Sequence, residues 1–331
     1  MIIKKIILYA AAVLQFFVLL SCGEKKGEQP SKTLYEFSSS QNIPVFNSEN
    51  AYDYVEEQTK FGPRNPNSIG HQKTLNYLKN TLSQFADEVQ LQSFIYKGYD
   101  EVLNLTNIIA KFNPDKKNRI LLCAHWDTRP RAEHAKDESK KNLPIIGAND
   151  GGSGVGVLLE TARILKQNKI DYGVDIVLFD GEDYGKENDL NNYCLGSKYF
   201  AANYYKTSYP VFGILFDMVG DKEAVFPKEG HSLQFASEVI NQFWNSAELK
   251  SSSIFLQEEK PPVYDDHVPL NQAGIKTIDI IDGDLIGADS PNERRNYWHS
   301  HDDTMQNIGK ETLQQVGDVL VYFLYTLKFN Y

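Results

Sequence analysis

Acidic and histidine residues gather where the apolar runs of this chain end. The run RILLCA (119–124) leads into His125, Trp126 and Asp127; VDIVLF (174–179) leads into Asp180, Gly181, Glu182 and Asp183; VFGILF (211–216) leads into Asp217. A glycine-rich stretch, GANDGGSG (147–154), adds Asp150. In open α/β sheets ligands bind outside the carboxyl ends of the strands, so several such ends on one chain imply one pocket of converging acids. Crowded carboxylates repel one another unless protons or a cation hold them together. Zinc accepts oxygen and nitrogen donors, and a catalytic zinc keeps three protein ligands and one open position. The candidate ligands are Asp150, Asp183 and His299, the last within NYWHSHDD (296–303). Neighbours leaving a strand point in different directions, so Asp183 can bind metal while Glu182 faces a substrate as general base. Metal and nearby acids can tune its proton affinity toward neutrality.

Each residue taken singly has a plainer reading. Asp150 in a glycine-rich turn is an ordinary turn residue. The segment GGSGVG (151–156) lacks the Lys-Ser/Thr pair and the strict glycine spacing of a phosphate loop. His301, two residues beyond His299, reads as a surface or supporting residue, and Trp126 and Trp298 as core aromatics. Their joint arrival at strand exits is what the plainer readings leave unaccounted for.

Helical spacing marks 48–60, closed by Gly62 and Pro63, then 70–85, 153–166, a segment near 197–204, 230–244 and 312–328. Strands are expected at 89–96 and 105–112, as antiparallel neighbours, and at 119–124, 174–179, 211–216 and 276–281. This alternation predicts a single-domain α/β three-layer sandwich, with a mixed, mostly parallel, twisted sheet and helices on both faces. A polar insertion, 128–143, carries Arg129, Arg131, His134 and Lys136, and a loop that long is expected to wall a pocket.

Lys4 and Lys5 precede a fifteen-residue, largely apolar stretch, 6–20, which fits a secretory signal and is short for a spanning helix. LLSCG (19–23) resembles the lipobox of bacterial lipoproteins, which implies cleavage before Cys22 and lipid on its sulfur. The expected organisation is a signal over 1–21, a flexible tether with lipidated Cys22 over 22–45, and a catalytic domain over 46–331. The expected location is the cell envelope, on a lipid anchor. Formal net charge is −10 with no basic stripe, which argues against nucleic acid as a partner. Cys123 and Cys194 are too few for a disulfide framework, and Cys123 on an apolar strand reads as a small buried hydrophobe.

His125-Trp-Asp127, GAND (147–150), Gly181-Glu182-Asp183, Asp217-Met-Val-Gly220 and the late His299 resemble, in order, the motifs of the zinc aminopeptidase and glutaminyl cyclase superfamily. The likeness spans roughly 50–330. YDDHVP (264–269), the Trp298-His299 pair and LGS (195–197) resemble its glutaminyl-peptide cyclotransferase branch in the form found in Bacteroidetes. The resemblance implies one zinc on Asp150, Asp183 and His299, and Glu182 as general base and then acid. It also implies Asp217 as a second proton-handling acid hydrogen-bonded to Asp265, and Trp298 against the substrate side chain. Peptides and proteins with N-terminal glutamine would be the substrates. Two features depart from the animal members: no tryptophan follows Asp183 before Cys194, and ERRN (293–296) precedes Trp298 where an apolar aromatic is expected. A two-zinc aminopeptidase would use the same residues, with His125 and Asp217 on a second metal and Asp150 bridging. A non-catalytic binding module would be marked by loss of Glu182 or a ligand, and neither is lost.

Overall fold

Alternation along the apolar runs decides which face of the sheet each side chain enters. In the computed structural model, which describes residues 34–38, 42–204 and 209–330, the elements run β1 (Tyr35–Phe37), α1 (Ser48–Lys60), α2 (Ile69–Phe85), β2 (Glu88–Lys97), β3 (Val102–Phe112) and β4 (Arg119–His125). Next come α3 (Gly152–Gln167), β5 (Gly173–Phe179), α4 (Leu195–Asn203), β6 (Gly213–Asp217), β7 (Phe226–Lys228) and α5 (Gly230–Leu249). The last are β8 (Phe255–Glu259), α6 (His267–Gln272), β9 (Thr277–Ile281), α7 (Lys310–Thr326) and β10 (Leu327–Phe329). Ile120, Leu122 and Ala124 of β4 and Val174, Ile176 and Leu178 of β5 enter the larger core, which includes side chains of α1, α3, α5 and α7. The intervening Leu121, Cys123, Val177 and Phe179 enter a smaller core on the other face, with Phe200 of α4 and Leu270 of α6. Each fully buried large apolar side chain contributes about 1.5–3 kcal/mol. Both faces are therefore apolar, as strands covered on two sides require.

The main sheet has six strands in the order β2-β3-β5-β4-β6-β9. Strands β5, β4, β6 and β9 pair in parallel, and β2 and β3 form the antiparallel flank. The chain passes from β4 to β5 on one side and then to β6 on the other. That reversal opens a crevice at the carboxyl end of β4, where His125 stands. The expected α/β sandwich, with its mixed sheet and helices on both faces, is what forms.

Differences lie at boundaries and in small elements. The last helix stops at Thr326 rather than Lys328, because Leu327–Phe329 pair with β1. The expected tether also ends early: Tyr35 and Phe37 of β1 lie 5.3 Å from Phe212 and 4.8 Å from Phe323, ring centre to ring centre. Helix α6 and the β7–β8 pair are too short to carry a periodic signal. The expected signal and Cys22 lie outside the described residues.

The start of α3 is where sheet and pocket are locked together. A Cβ on Gly154 would sit 2.1 Å from the Phe216 carbonyl oxygen, so only glycine lets α3 approach β6 this closely. Val219 donates its N–H to Ser153 Oγ at 2.9 Å, and Gly220 to Asn149 Oδ1 at 2.8 Å, tying the exit of β6 to the turn carrying Asp150. Gly154→Ala is expected to lower unfolding free energy by about 1–3 kcal/mol through overpacking, read by urea denaturation against the parent protein.

Candidate metal centre

Asp150 leaves a turn whose glycines bend it back toward the sheet. Gly147 and Gly151 have φ of 61° and 85°, and a Cβ on Gly151 would meet the Asp127 carbonyl at 2.5 Å and the His125 ring at 3.0 Å. The Asp303 carboxylate accepts the N–H groups of Asn149 and Asp150 at 2.8 and 3.0 Å. Asp127 does the same after β5, accepting from Glu182 at 3.0 Å and Asp183 at 3.3 Å. Two buried carboxylates thus hold the two loops from which the candidate ligands project. Arg64, fully buried, donates to the carbonyls of Trp126, Ile146 and Gly147 at 2.8–2.9 Å and joins the β4 exit to the Asp150 turn. His299 takes a left-handed φ of 49°, and its carbonyl accepts the His134 N–H at 3.1 Å.

Asp150, Asp183 and His299 converge. One donor atom from each lies within 4.8 Å of the other two, and all three residues are buried. His299 Nε2 is 3.4 Å from Asp183 Oδ1 and 3.7 Å from Asp150 Oδ2. A second group, His125, Asp150 and Asp217, meets the same criterion, with His125 Nε2 3.2 Å from Asp150 Oδ1 and 3.1 Å from Asp217 Oδ1. Asp150 is common to both, and His301 belongs to neither. Asp183 Oδ2 is buried without a hydrogen-bond partner, the state expected of an oxygen that needs a cation. Two carboxylates and an imidazole suit a borderline divalent ion such as zinc.

The acids differ in their proton affinity because their neighbours differ. Burial alone would raise Asp183, but the Arg129 guanidinium, 2.6 Å from its Oδ1, and His299 override burial and hold it below the usual carboxylate range. Glu182 has no such partner: burial first, and the charge of Asp265 second, push it well up. Asp265 is pushed up to about 7 by burial and by Asp217. Adjacent residues on one turn are therefore pushed in opposite directions, Asp183 down and Glu182 up.

The hydrogen bond expected between Asp217 and Asp265 is not formed. His125 claims Asp217, while Asp265 Oδ1 accepts from the Asp266 N–H and its Oδ2 has no partner. Glu182 Oε1 instead accepts the Cys194 thiol at 3.3 Å. Cys123 and Cys194 are both buried free thiols. Trp298, half-buried, stacks on the His299 ring with centres 3.4 Å apart and lies 5.2 Å from His134, so the 128–143 insertion does wall this side of the pocket. The polar ERRN segment does not intrude: Arg294 pairs with Asp221 at 2.8 Å and Arg295 with Asp282. Arg64, Cys194 and the supporting role of Asp303 escaped sequence reasoning. Arg129 was legible only as a basic residue in a long insertion.

A family model described as Peptidase family M28 matches residues 107–324. The glutaminyl cyclase of Bacteroides thetaiotaomicron, solved with N-acetylhistamine, is 41% identical, covers 86% of this chain and 99% of its own, and superposes with a TM-score of 0.81. That of Tannerella forsythia is 40% identical, with 85% and 99% covered and a TM-score of 0.80. Aminopeptidase YwaD of Bacillus subtilis is 27% identical over 234 residues, 67% of this chain, and the chain spans only 44% of that protein's length.

The Asp303 bonds make that residue a support for the candidate ligand Asp150. Asp303→Asn turns one acceptor into a donor facing a backbone N–H. Zinc affinity is expected to fall about 10–100-fold, measured by competition with a coloured chelator, with the overall fold kept by circular dichroism.

Proposed function

The chain belongs to peptidase family M28, and from that membership we propose that it is a glutaminyl-peptide cyclotransferase. It converts the N-terminal glutamine of peptides and proteins to pyroglutamate with release of ammonia, using one zinc ion held by Asp150, Asp183 and His299. The observation that carries this reading is the seat of Glu182: a buried carboxyl, free of any guanidinium, with Asp265 within 4.8 Å and the Asp150–Asp183–His299 group beside it. The likeness to bacterial glutaminyl cyclases over 85–86% of the chain supports it.

Cyclisation needs the α-amine of the substrate to reach its own γ-carbonyl carbon. Glu182 accepts a proton from that amine as the new C–N bond forms, then hands it to the departing nitrogen, which leaves as ammonia. Bound zinc would polarise the γ-carbonyl as a Lewis acid and favour the ionised form of Glu182 by its charge. Asp265, within 4.8 Å of Glu182, raises the proton affinity of Glu182 by its charge. Asp217 fixes the His125 ring at 3.1 Å and raises the proton affinity of Asp265 by its charge. Trp298, stacked on His299, offers an aromatic wall to the glutamine side chain. Nucleophile and electrophile belong to one molecule, so orientation and charge stabilisation are the main contributions asked of the protein.

The same reading hangs the enzyme at the cell envelope by lipid on Cys22. No helix among the described residues is long and apolar enough to cross a membrane.

The second cation-capable group favours one other reading, a two-metal aminopeptidase with Asp150 bridging and a second ion on His125 and Asp217. A purified sample assayed for zinc content and for ammonia from a glutaminyl dipeptide separates the two. One zinc per chain with stoichiometric ammonia and pyroglutamyl product is expected; two zincs and free N-terminal amino acids would establish the peptidase. Glu182→Gln is expected to retain zinc and fold while turnover drops about 10²–10⁴-fold. A zinc-loaded variant that kept most of its activity would remove Glu182 from the proton path.

A further inference from the structure

One cluster in the pocket is not used by that chemistry in full. Cys194 Sγ, a Glu182 carboxylate oxygen and an Asp265 carboxylate oxygen lie within 4.8 Å of one another, and all three residues are buried. The thiol is completely shielded from solvent and its hydrogen points at Glu182 Oε1, 3.3 Å away. Nothing in proton shuttling between two carboxyls requires a sulfur there. Cys194 is held in place by unusual backbone: its φ is +55°, in the left-handed region, and its N–H donates to the Glu182 carbonyl at 2.9 Å. The turn from Glu182 to Cys194 is thus closed twice, once through the main chain and once through the side chains. Asp265 is 3% exposed, and its Oδ2 has no hydrogen-bond partner. A buried carboxyl oxygen without a partner is unsatisfied, and a cation would satisfy it.

We propose that Cys194, Glu182 and Asp265 form a second, inhibitory cation site, selective for soft or borderline divalent ions. A thiolate with two carboxylates is a donor set that hard ions such as magnesium and calcium decline and that zinc and cadmium accept. Binding displaces the thiol proton that Glu182 Oε1 accepts, leaving a thiolate on the ion. The group is separate from Asp150, Asp183 and His299, so the ion adds to the zinc already held rather than exchanging with it. Occupation removes the lone pairs through which Glu182 would accept the proton of the amine. This consequence for turnover rests on the role of Glu182 proposed above; the binding itself does not. Cys194 would then make the enzyme responsive to metal load: active with one ion, silenced by excess soft metal and restored by chelation.

The test uses the full zinc-loaded chain titrated with cadmium chloride, because a thiolate–cadmium bond gives an ultraviolet charge-transfer band independent of activity. Wild-type protein is expected to develop the band as additional cadmium binds with zinc retained, and ammonia release is expected to fall about 100-fold or more, recovering on addition of a chelator. Cys194→Ser and Asp265→Asn are expected to weaken cadmium binding at least tenfold, by equilibrium dialysis, and the serine variant to lose the band altogether. Calcium chloride should do none of this. Absence of the band in the wild-type protein overturns the proposal without reference to any variant, as does a band that survives in Cys194→Ser. A band that forms without loss of turnover leaves the cation site in place and removes Glu182 from the reaction instead, so the two readings fail separately.

Discussion

Mutual repulsion among buried carboxylates is the constraint around which this molecule is arranged. Asp127, Asp150, Asp183, Asp217, Asp265, Asp266 and Asp303 are all buried near the carboxyl ends of the parallel strands, with Glu182 among them. Charges at such spacing in a medium of low polarity cannot all persist without compensation. The compensation takes three forms. Backbone N–H groups satisfy Asp127 and Asp303, guanidinium and imidazolium groups serve Asp183 and Asp217, and burial pushes the proton affinities of Glu182 and Asp265 up. A divalent ion at Asp150, Asp183 and His299, whose donor atoms converge, would supply a fourth. The division also assigns labour, because the acids with raised proton affinity are the ones available to move protons.

That arrangement explains why the scaffold is so rigid where the chemistry sits. The loops after β4, β5 and β6 are tied to one another by Arg64, Asp127, Asn149 and Ser153 rather than left to vary. A ligand displaced by an ångström would exchange attraction to a cation for repulsion from a neighbouring acid. Gly151 and Gly154 serve the same end by letting backbone approach backbone at distances no Cβ tolerates. Local strain is concentrated here as well, with Cys194, Met218 and His299 all in the left-handed region beside the pocket.

Much of this was legible in the sequence, and the reason is the same repulsion. Acids at strand exits stand out because they are locally unfavourable, so Glu182, Asp183 and Asp217 are marked by position and type, Asp150 by its glycine-rich turn and His299 by its place beside Trp298. The alternating apolar runs gave the sheet, since Leu121 and Cys123 must face one way when Ile120 and Leu122 face the other. What stayed hidden were partners joined only by folding. Arg64 lies 62 residues from Trp126, whose carbonyl it binds, and Asp303 lies 153 residues from the Asp150 N–H it accepts. The bond from Cys194 to Glu182 is short in sequence but depends on a left-handed residue that no pattern flags in a cysteine. The expected Asp217–Asp265 bond is replaced by two local ones, His125 on Asp217 Oδ1 and the Asp266 N–H on Asp265 Oδ1.

The shared position of Asp150 bears on how one fold serves two chemistries. Its Oδ1 faces His125 and its Oδ2 faces His299, so the residue can close either group of donors or bridge both. Hydrolysis of a peptide bond needs a water made nucleophilic, which a second ion provides. Cyclisation brings its own amine, and a second ion at His125 and Asp217 would spend on water activation the charge that Asp217 otherwise turns on Asp265. With His125 bonded to Asp217, the second group would act on the proton affinity of Asp265 rather than on water. Whether His125 binds a carboxylate or a metal therefore decides which nucleophile the pocket can serve, with no change in the residues that line it.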